Sequence, residues 1–194
     1  MRIISGRLRG RKLHAFHGSA VRPTGDRVRE SLFNILAQKP LAAKVLDLFA
    51  GTGALGIEAI SRGARTAVFV DNAPQSLALI RKNIRHCGLS PYAHVIKSDI
   101  TAGLGCLQTF PMAFDLVFMD PPYGRDLVSI TMGHLLASGC LAPEATIVTE
   151  HEADHTPAMA SGPYHVIDRR KYGKTGLSIY LYTPDPASHH NGPA

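Results

Sequence analysis

Little in this chain supports a secreted, membrane-spanning or repetitive protein. Its three cysteines, Cys87, Cys106 and Cys140, have no paired spacing. They supply neither a disulfide framework nor a thiolate zinc site, and they read as reduced thiols in a core. No apolar run is long enough, or free enough of charge, to cross a bilayer. The N-terminus carries five basic residues by Lys12 and lacks the apolar stretch of a signal peptide, which predicts a cytoplasmic location. Internal repeats are absent as well.

The most informative absence is of negative charge. Residues 1–25 contain Arg2, Arg7, Arg9, Arg11, Lys12 and Arg22 and no acid, while the remaining residues hold 15 basic and 15 acidic side chains, so the whole formal excess of +6 lies in this block. Such a localised block suits phosphate contact, with Gly6, Gly10 and Gly18 letting the backbone follow a ribose-phosphate surface. The plainer alternative is a solvated basic arm.

Against that background stands Asp120-Pro121-Pro122-Tyr123, directly after the apolar run 114–119 (FDLVFM). The tetrapeptide is suited to methylating a planar exocyclic amine. The lone pair of such a nitrogen is delocalised into its ring, so a catalyst must hold the nitrogen in line with the methyl donor. It must also place acceptors on the two N–H hydrogens to meet the positive charge that grows on nitrogen. Asp120 offers one acceptor and the carbonyl of Pro121 the other, because successive prolines fix φ and leave that carbonyl rigid. Tyr123 offers an aromatic face for a displaced base. The same four residues also fit an ordinary strand-to-loop turn.

Upstream, residues 45–49 (VLDLF) form a short buried-strand pattern, followed by Ala50-Gly51-Thr52-Gly53 and a helical stretch that Gly63 is placed to end. Asp71 closes the next apolar strand about 20 residues on, so the dinucleotide fingerprint is formally met and a nicotinamide cofactor has to be weighed. Asp47 argues against it. A carboxylate in the first strand points toward the place a pyrophosphate would occupy, which is wrong for an anion and right for a ligand carrying an ammonium and a sulfonium. S-adenosylmethionine has both. The glycines would let it approach the backbone, and Asp71 could take its two ribose hydroxyls. Asp99, at the end of the strand 93–97, could meet the adenine amine or could equally cap the helix after it.

Here the chain resembles a family. Residues 45–59 (VLDLFAGTGALGIEA), 120–123 (DPPY) and 22–36 (RPTGDRVRESLFNIL), with the opening MRIISG and the late YGKT, are similar to the bacterial 16S ribosomal RNA guanine-N2 methyltransferases of the RsmD family. The likeness runs to about Tyr182. It implies a Rossmann-like class I methyltransferase that uses S-adenosylmethionine on the N2 amine of one guanine in small-subunit RNA, with 16S ribosomal RNA within a small-subunit particle as its partner. By the same likeness Ala50, Asn72 and Ile100 would join Asp47, Gly51, Thr52, Gly53, Asp71 and Asp99 around the cofactor, and Arg22 and Thr24 would cover its methionine side. Other readings stay open: an adenine-N6 or other nucleic-acid amino methyltransferase, a nicotinamide oxidoreductase, and a noncatalytic RNA-binding or assembly factor.

The remaining pattern predicts one α/β domain. Helix 27–37, capped by Asp26 and burying Val28, Leu32, Ile35 and Leu36, precedes strands near 45–49, 66–71, 93–97, 114–119 and 145–149. These alternate with helices near 54–62, 75–87, 102–108 and 127–137, and the runs 164–170 and 177–182 form a terminal antiparallel pair. The expectation is a seven-stranded, mostly parallel sheet over 26–183, with a basic extension at 1–25 and a polar tail at 184–194. His151 and His155 lack metal-binding order, so no metal is expected. Arg169-Arg170-Lys171-Tyr172 is either a second RNA contact or an exposed hairpin rim.

Overall fold

The computed structural model describes residues 1–16, 25–108, 110, 112–122, 126–154, 157 and 162–184. Tyr123, Arg22, Thr24, Gly18, His155 and the tail beyond Pro184 lie outside these residues. Helix α1 (Asp26–Leu36) leads into a regular alternation: β1 (Lys44–Leu48), α2 (Ala54–Ser61), β2 (Thr66–Asp71), α3 (Pro74–Cys87), β3 (Ala93–Lys97), β4 (Phe114–Met119), α4 (Leu127–Ser138) and β5 (Leu141–Glu152). The pair β6 (Tyr164–Tyr172) and β7 (Thr175–Tyr182) follows. The sheet order is β3-β2-β1-β4-β5-β7-β6. Strands β1 to β5 pair in parallel, and β7 inserts antiparallel between β5 and β6. The order reverses between β1 and β4, where an open α/β sheet leaves a crevice at its strand ends.

Several expectations are corrected. Asp26 does not cap α1: Gly25 occupies that position, and the Asp26 carboxylate instead accepts from Arg29 Nη2 at 3.1 Å. Arg29 and Phe33 are buried with Leu32 and Leu36, whereas Val28 and Ile35 are only partly covered. The helix expected at 102–108 is replaced by two single 3-10 turns, Ile100–Ala102 and Gly105–Leu107. Gly103, at φ 128, breaks the run between them. β1 stops at Leu48, since Phe49 takes φ 57 and starts the glycine turn. β5 begins four residues earlier than its apolar pattern shows and continues to Glu152.

Strand alternation divides the core in two. Val45, Phe69, Phe118, Val148 and Ile179 face α1, α2 and α3. Leu46, Val68, Val117, Met119 and Ile147 face α4 and the 3-10 turns. Cys87 and Cys140 are buried, and all three cysteines are free thiols.

The basic N-terminal segment is not a solvated arm. Residues 1–14 fold back on themselves through an Arg2–Lys12 bridge, and bury Ile3 and Leu13 in the core shared with α1 to α3. The buried Glu58 carboxylate of α2 accepts from the amides of Ile4 (2.7 Å) and Ser5 (2.9 Å) and from Arg62 Nε (2.8 Å). Arg29 Nε approaches it at 3.9 Å, an ionic contact too long for a hydrogen bond, while Arg29 Nη2 donates to the Arg2 carbonyl. Gly6 is needed here for packing: a Cβ on it would fall 2.0 Å from the Ser61 carbonyl oxygen, and its φ is 82. This contact seats Gly6 against the end of α2.

Removing one partner of a buried ion cluster strands the others without solvent. Glu58→Ala is therefore expected to lower unfolding free energy in urea by about 3 to 5 kcal/mol. A loss below ~1 kcal/mol, on the scale of an exposed pair, would show that the cluster is not a fastening.

Candidate functional site

The alternation that sorts the core also sorts the carboxylates. Asp47 lies one residue before the end of β1, Asp71 ends β2, and Asp120 follows the last residue of β4. All three fall on the α1–α3 side of the sheet. Burial and the neighbouring charges of Asp120 and Asp71 act on Asp47 in the same direction, which places the three acids within electrostatic reach.

Asp71 is fixed by two backbone donors. Its Oδ2 accepts from Gly51 N at 2.9 Å and its Oδ1 from Ala73 N at 2.8 Å. Each oxygen keeps a further lone pair. The first bond holds the glycine turn against the end of β2. Gly51 (φ 54) and Gly53 (φ 75) give the turn its left-handed residues. Among the described residues a Cβ on Gly51 would meet only the Phe49 carbonyl oxygen, at 3.8 Å, so these residues leave this side of the turn open. Below the turn, Asn83 of α3 donates to the carbonyls of Thr52 and His14, both at 3.0 Å, and accepts from His14 N at 2.8 Å. A single buried amide thus aligns the turn with the chain that leads into residues 17–24.

Asp47 is 2% exposed and its Oδ2 accepts from Gly56 N at 2.9 Å. Burial, partly countered by that bond and reinforced by Asp120 and Asp71, pushes its carboxyl up from 3.8 to about 8. An acid this unwilling to ionise is poised to respond to a cation placed beside it.

The other expected residues are placed as follows. Ala50 is buried, its N–H donating to Val70 O at 3.2 Å, and Thr52 is 7% exposed. Asn72 is exposed just after β2. The Ile100 side chain belongs to the core on the α4 side. Asp99 is exposed and caps the 3-10 turn through Thr101 N (3.0 Å) and Thr101 Oγ1 (2.7 Å); these bonds hold its carboxyl below the usual range. The capping alternative is thus realised, and the lone pairs that remain keep a ligand contact open. Pro121 is buried and Pro122 exposed.

Sequence reasoning missed Glu150. The register pairs Met119 with Thr149, so Glu150, at 8% exposure, lies beside Asp120 on the same face. An acid closing an apolar strand was the available signal, the one that marked Asp71. His151 is fixed structurally, its ring nitrogens meeting Ser178 Oγ (2.9 Å) and the Glu152 carbonyl (2.8 Å). Among the described residues no cluster of three or more metal-ligating side chains occurs. At the β6–β7 hairpin, Arg170 pairs with Asp168 and Lys171 with Asp154, and Tyr172 meets Ser31, which favours a rim. A cleft of about 490 Å³ near His134 and Cys140 opens on the α4 side, away from these carboxylates.

The family model described as "Conserved hypothetical protein 95" matches residues 1–181. The protein called ribosomal RNA small subunit methyltransferase D is 39% identical in Haemophilus influenzae, over 93% of both chains. In Escherichia coli K12 it is 40% identical, over 93% of this chain and 89% of its own. The chain belongs to this methyltransferase D family. The solved Escherichia coli protein yhhF superposes with a TM-score of 0.83 at 35% identity, covering 95% of this chain and 99% of its own. The sheet is accordingly the seven-stranded class I methyltransferase fold, shared at 16% identity and a TM-score of 0.63 by SMU.776, solved with SAH. The carboxylate-lined crevice lies at the strand ends where the sheet order reverses, and the cleft near His134 does not.

The raised Asp47 carboxyl carries a pH signature. Between pH 3.8 and about 8 the folded state keeps a proton that the unfolded chain releases. Stability should therefore fall as pH rises through this window, by up to about 1.4 kcal/mol per pH unit. Asp47→Asn should flatten the slope, measured by urea unfolding from pH 5 to 8. Equal slopes in both proteins would contradict the burial of a protonated Asp47.

Proposed function

We propose that this chain transfers a methyl group from S-adenosylmethionine to the exocyclic N2 amine of one guanine in small-subunit (16S) ribosomal RNA. The substrate in this reading is RNA within a small-subunit particle in the cytoplasm. The observation that carries it is the position of Asp120-Pro121-Pro122. The motif leaves β4 at the switch point, beside Asp47 and across from the Asp71-anchored glycine turn, in a chain of the methyltransferase D family.

The residues fit the methyl donor. Asp47 is a buried acid whose neighbours are a backbone N–H and two more carboxylates, a setting that a sulfonium and an ammonium would relieve. Asp71 has lone pairs left for ribose hydroxyls, and the open side of Gly51 admits a ligand against the main chain. When bound, S-adenosylmethionine supplies an electrophilic methyl group. In our reading Asn72, Asp99 and the main chain of Ile100 border the adenine, and Arg22 and Thr24 cover the methionine side.

Asp120 and the Pro121 carbonyl take the two N2 hydrogens of a guanine that rests on Tyr123. Their negative potential meets the positive charge developing on nitrogen, a contact stronger in the transition state than in the ground state. The nitrogen needs no strong base beforehand, because it becomes acidic only as the new N–C bond forms; its proton then leaves to Asp120 or to water. Residues 1–25 serve as the RNA-contacting part, with Arg2, Arg7, Arg9, Arg11 and Lys12 exposed along the docked segment. The catalytic part is 26–183.

Two substitutions separate binding from chemistry. Asp71→Ala should weaken S-adenosylmethionine by ~2 to 3 kcal/mol in calorimetry, as befits a charged acceptor. Asp120→Ala should slow single turnover by ~100-fold or more, with cofactor affinity little changed. Near-normal turnover in Asp120→Ala would reject the proposed role of the motif.

A further inference from the structure

The docked N-terminal segment lies along the outer side of α2 and α3. At its upper end Met1 Sδ is 3.9 Å from Thr52 Oγ1 and His14 is bound to Asn83, beside the glycine turn. At its lower end Arg7 N and Leu8 N bind the carbonyl and hydroxyl oxygens of Ser61 at the end of α2. There the Arg7 guanidinium stacks 4.7 Å from the centre of the Tyr92 ring, just before β3. Along its edge, Arg11 Nη1 donates to the His86 carbonyl at 3.0 Å, and the His14 and His86 rings meet edge to face with centroids 5.3 Å apart. The segment is thus laid against the C-terminal half of α3.

That half of α3 is itself basic. Arg81, Lys82, Arg85 and His86 are exposed, and the helix contains no acid. The positive charges of the two elements are close enough to act on one another. His14 is held below its ordinary value by desolvation first and then by Lys82 and His86. Like charges gathered from sequence-distant segments repel, and nothing in the packing of exposed side chains requires them. A polyanion that runs across both elements offsets that repulsion.

We propose that Lys82 and Arg85 of α3 join Arg7, Arg9 and Arg11 in one phosphate-binding surface, which guides the RNA strand from the opposite end of the sheet up to the crevice. The surface fits the ribose-phosphate backbone, not base edges. Its donors are flexible, exposed cations, which position a strand without reading its sequence. Its length suits the task, since the 14 residues of α3 rise about 21 Å, starting beside Asp71 at the cofactor end. Arg7, flat on Tyr92, offers a guanidinium plane on which an unpaired base can stack. The sequence did not disclose this surface, because the charge of α3 is cancelled in the composition of residues 26–194 and becomes one-sided only once the N-terminal segment is seated next to it.

This inference rests on the RNA reading above, and the test keeps the two apart. Binding to a protein-free transcript of small-subunit ribosomal RNA is measured against salt for three proteins: wild type, Lys82→Gln/Arg85→Gln, and Arg7→Gln/Arg9→Gln/Arg11→Gln. All five positions are exposed, and calorimetry with S-adenosylmethionine checks that the crevice is intact. Two lost phosphate contacts should flatten the slope of log affinity against log salt by ~1.4, and three by ~2, with the coefficient for single strands. Flattening in both variants, with cofactor affinity unchanged, supports the composite surface. Flattening in the N-terminal variant alone overturns it and leaves RNA contact by the N-terminal segment standing. No flattening in either overturns both.

Discussion

The architecture depends on a buried carboxylate. Glu58, fully enclosed on α2, would be costly to ionise in an apolar interior, and it becomes tolerable because two N-terminal amides and two arginines converge on it. Desolvation makes the arrangement all-or-nothing. With the donors in place the N-terminal segment is seated on α2; without them a charge is stranded in the core. The same segment then reaches Asn83, which clamps the glycine turn from below. A fastening far from the reacting atoms therefore sets the geometry of the crevice and presents the basic residues on a fixed surface.

The crevice uses carboxylates in an opposite way. Asp47 has no cation acting on it among the described residues and is held neutral by burial, whereas Asp71 is tied to two N–H donors. One acid waits for positive charge and the other arranges the main chain. Asp120 follows β4, on the far side of Asp47 from Asp71, at the switch point where the sheet leaves room for a ligand. This division of labour explains how several acids can share one cleft: they differ in solvation, not in type. A cationic methyl donor and an amine that becomes cationic as it reacts both match a site of that sign.

Much of this was legible in the chain. Parallel strands buried on both faces read as short apolar runs, so β1 to β4 and the acids closing them stood out, as did the glycine turn between β1 and α2. Less visible were features that depend on distant partners. Asp26 fits the pattern of a cap, yet Arg29 competes for it, and Arg29 is inside only because Glu58 is there to meet it. The run 102–108 has helical spacing, but glycines at 103 and 105 break it into 3-10 turns. The basic block was conspicuous as charge while its docking was hidden, since Gly6, Ile3 and Leu13 reveal their roles only against Ser61 and the core. Glu150 was overlooked because β5 runs on beyond its apolar stretch.

The central claim is that the carboxylate-lined crevice methylates the N2 amine of a guanine in small-subunit ribosomal RNA. Its most direct test is mass spectrometric mapping of modified nucleosides in that RNA, from cells with and without this chain. The account predicts one N2-methylguanosine, present with the chain and missing without it. An unchanged modification map, or the loss of a methyl group from an adenine instead, would contradict it.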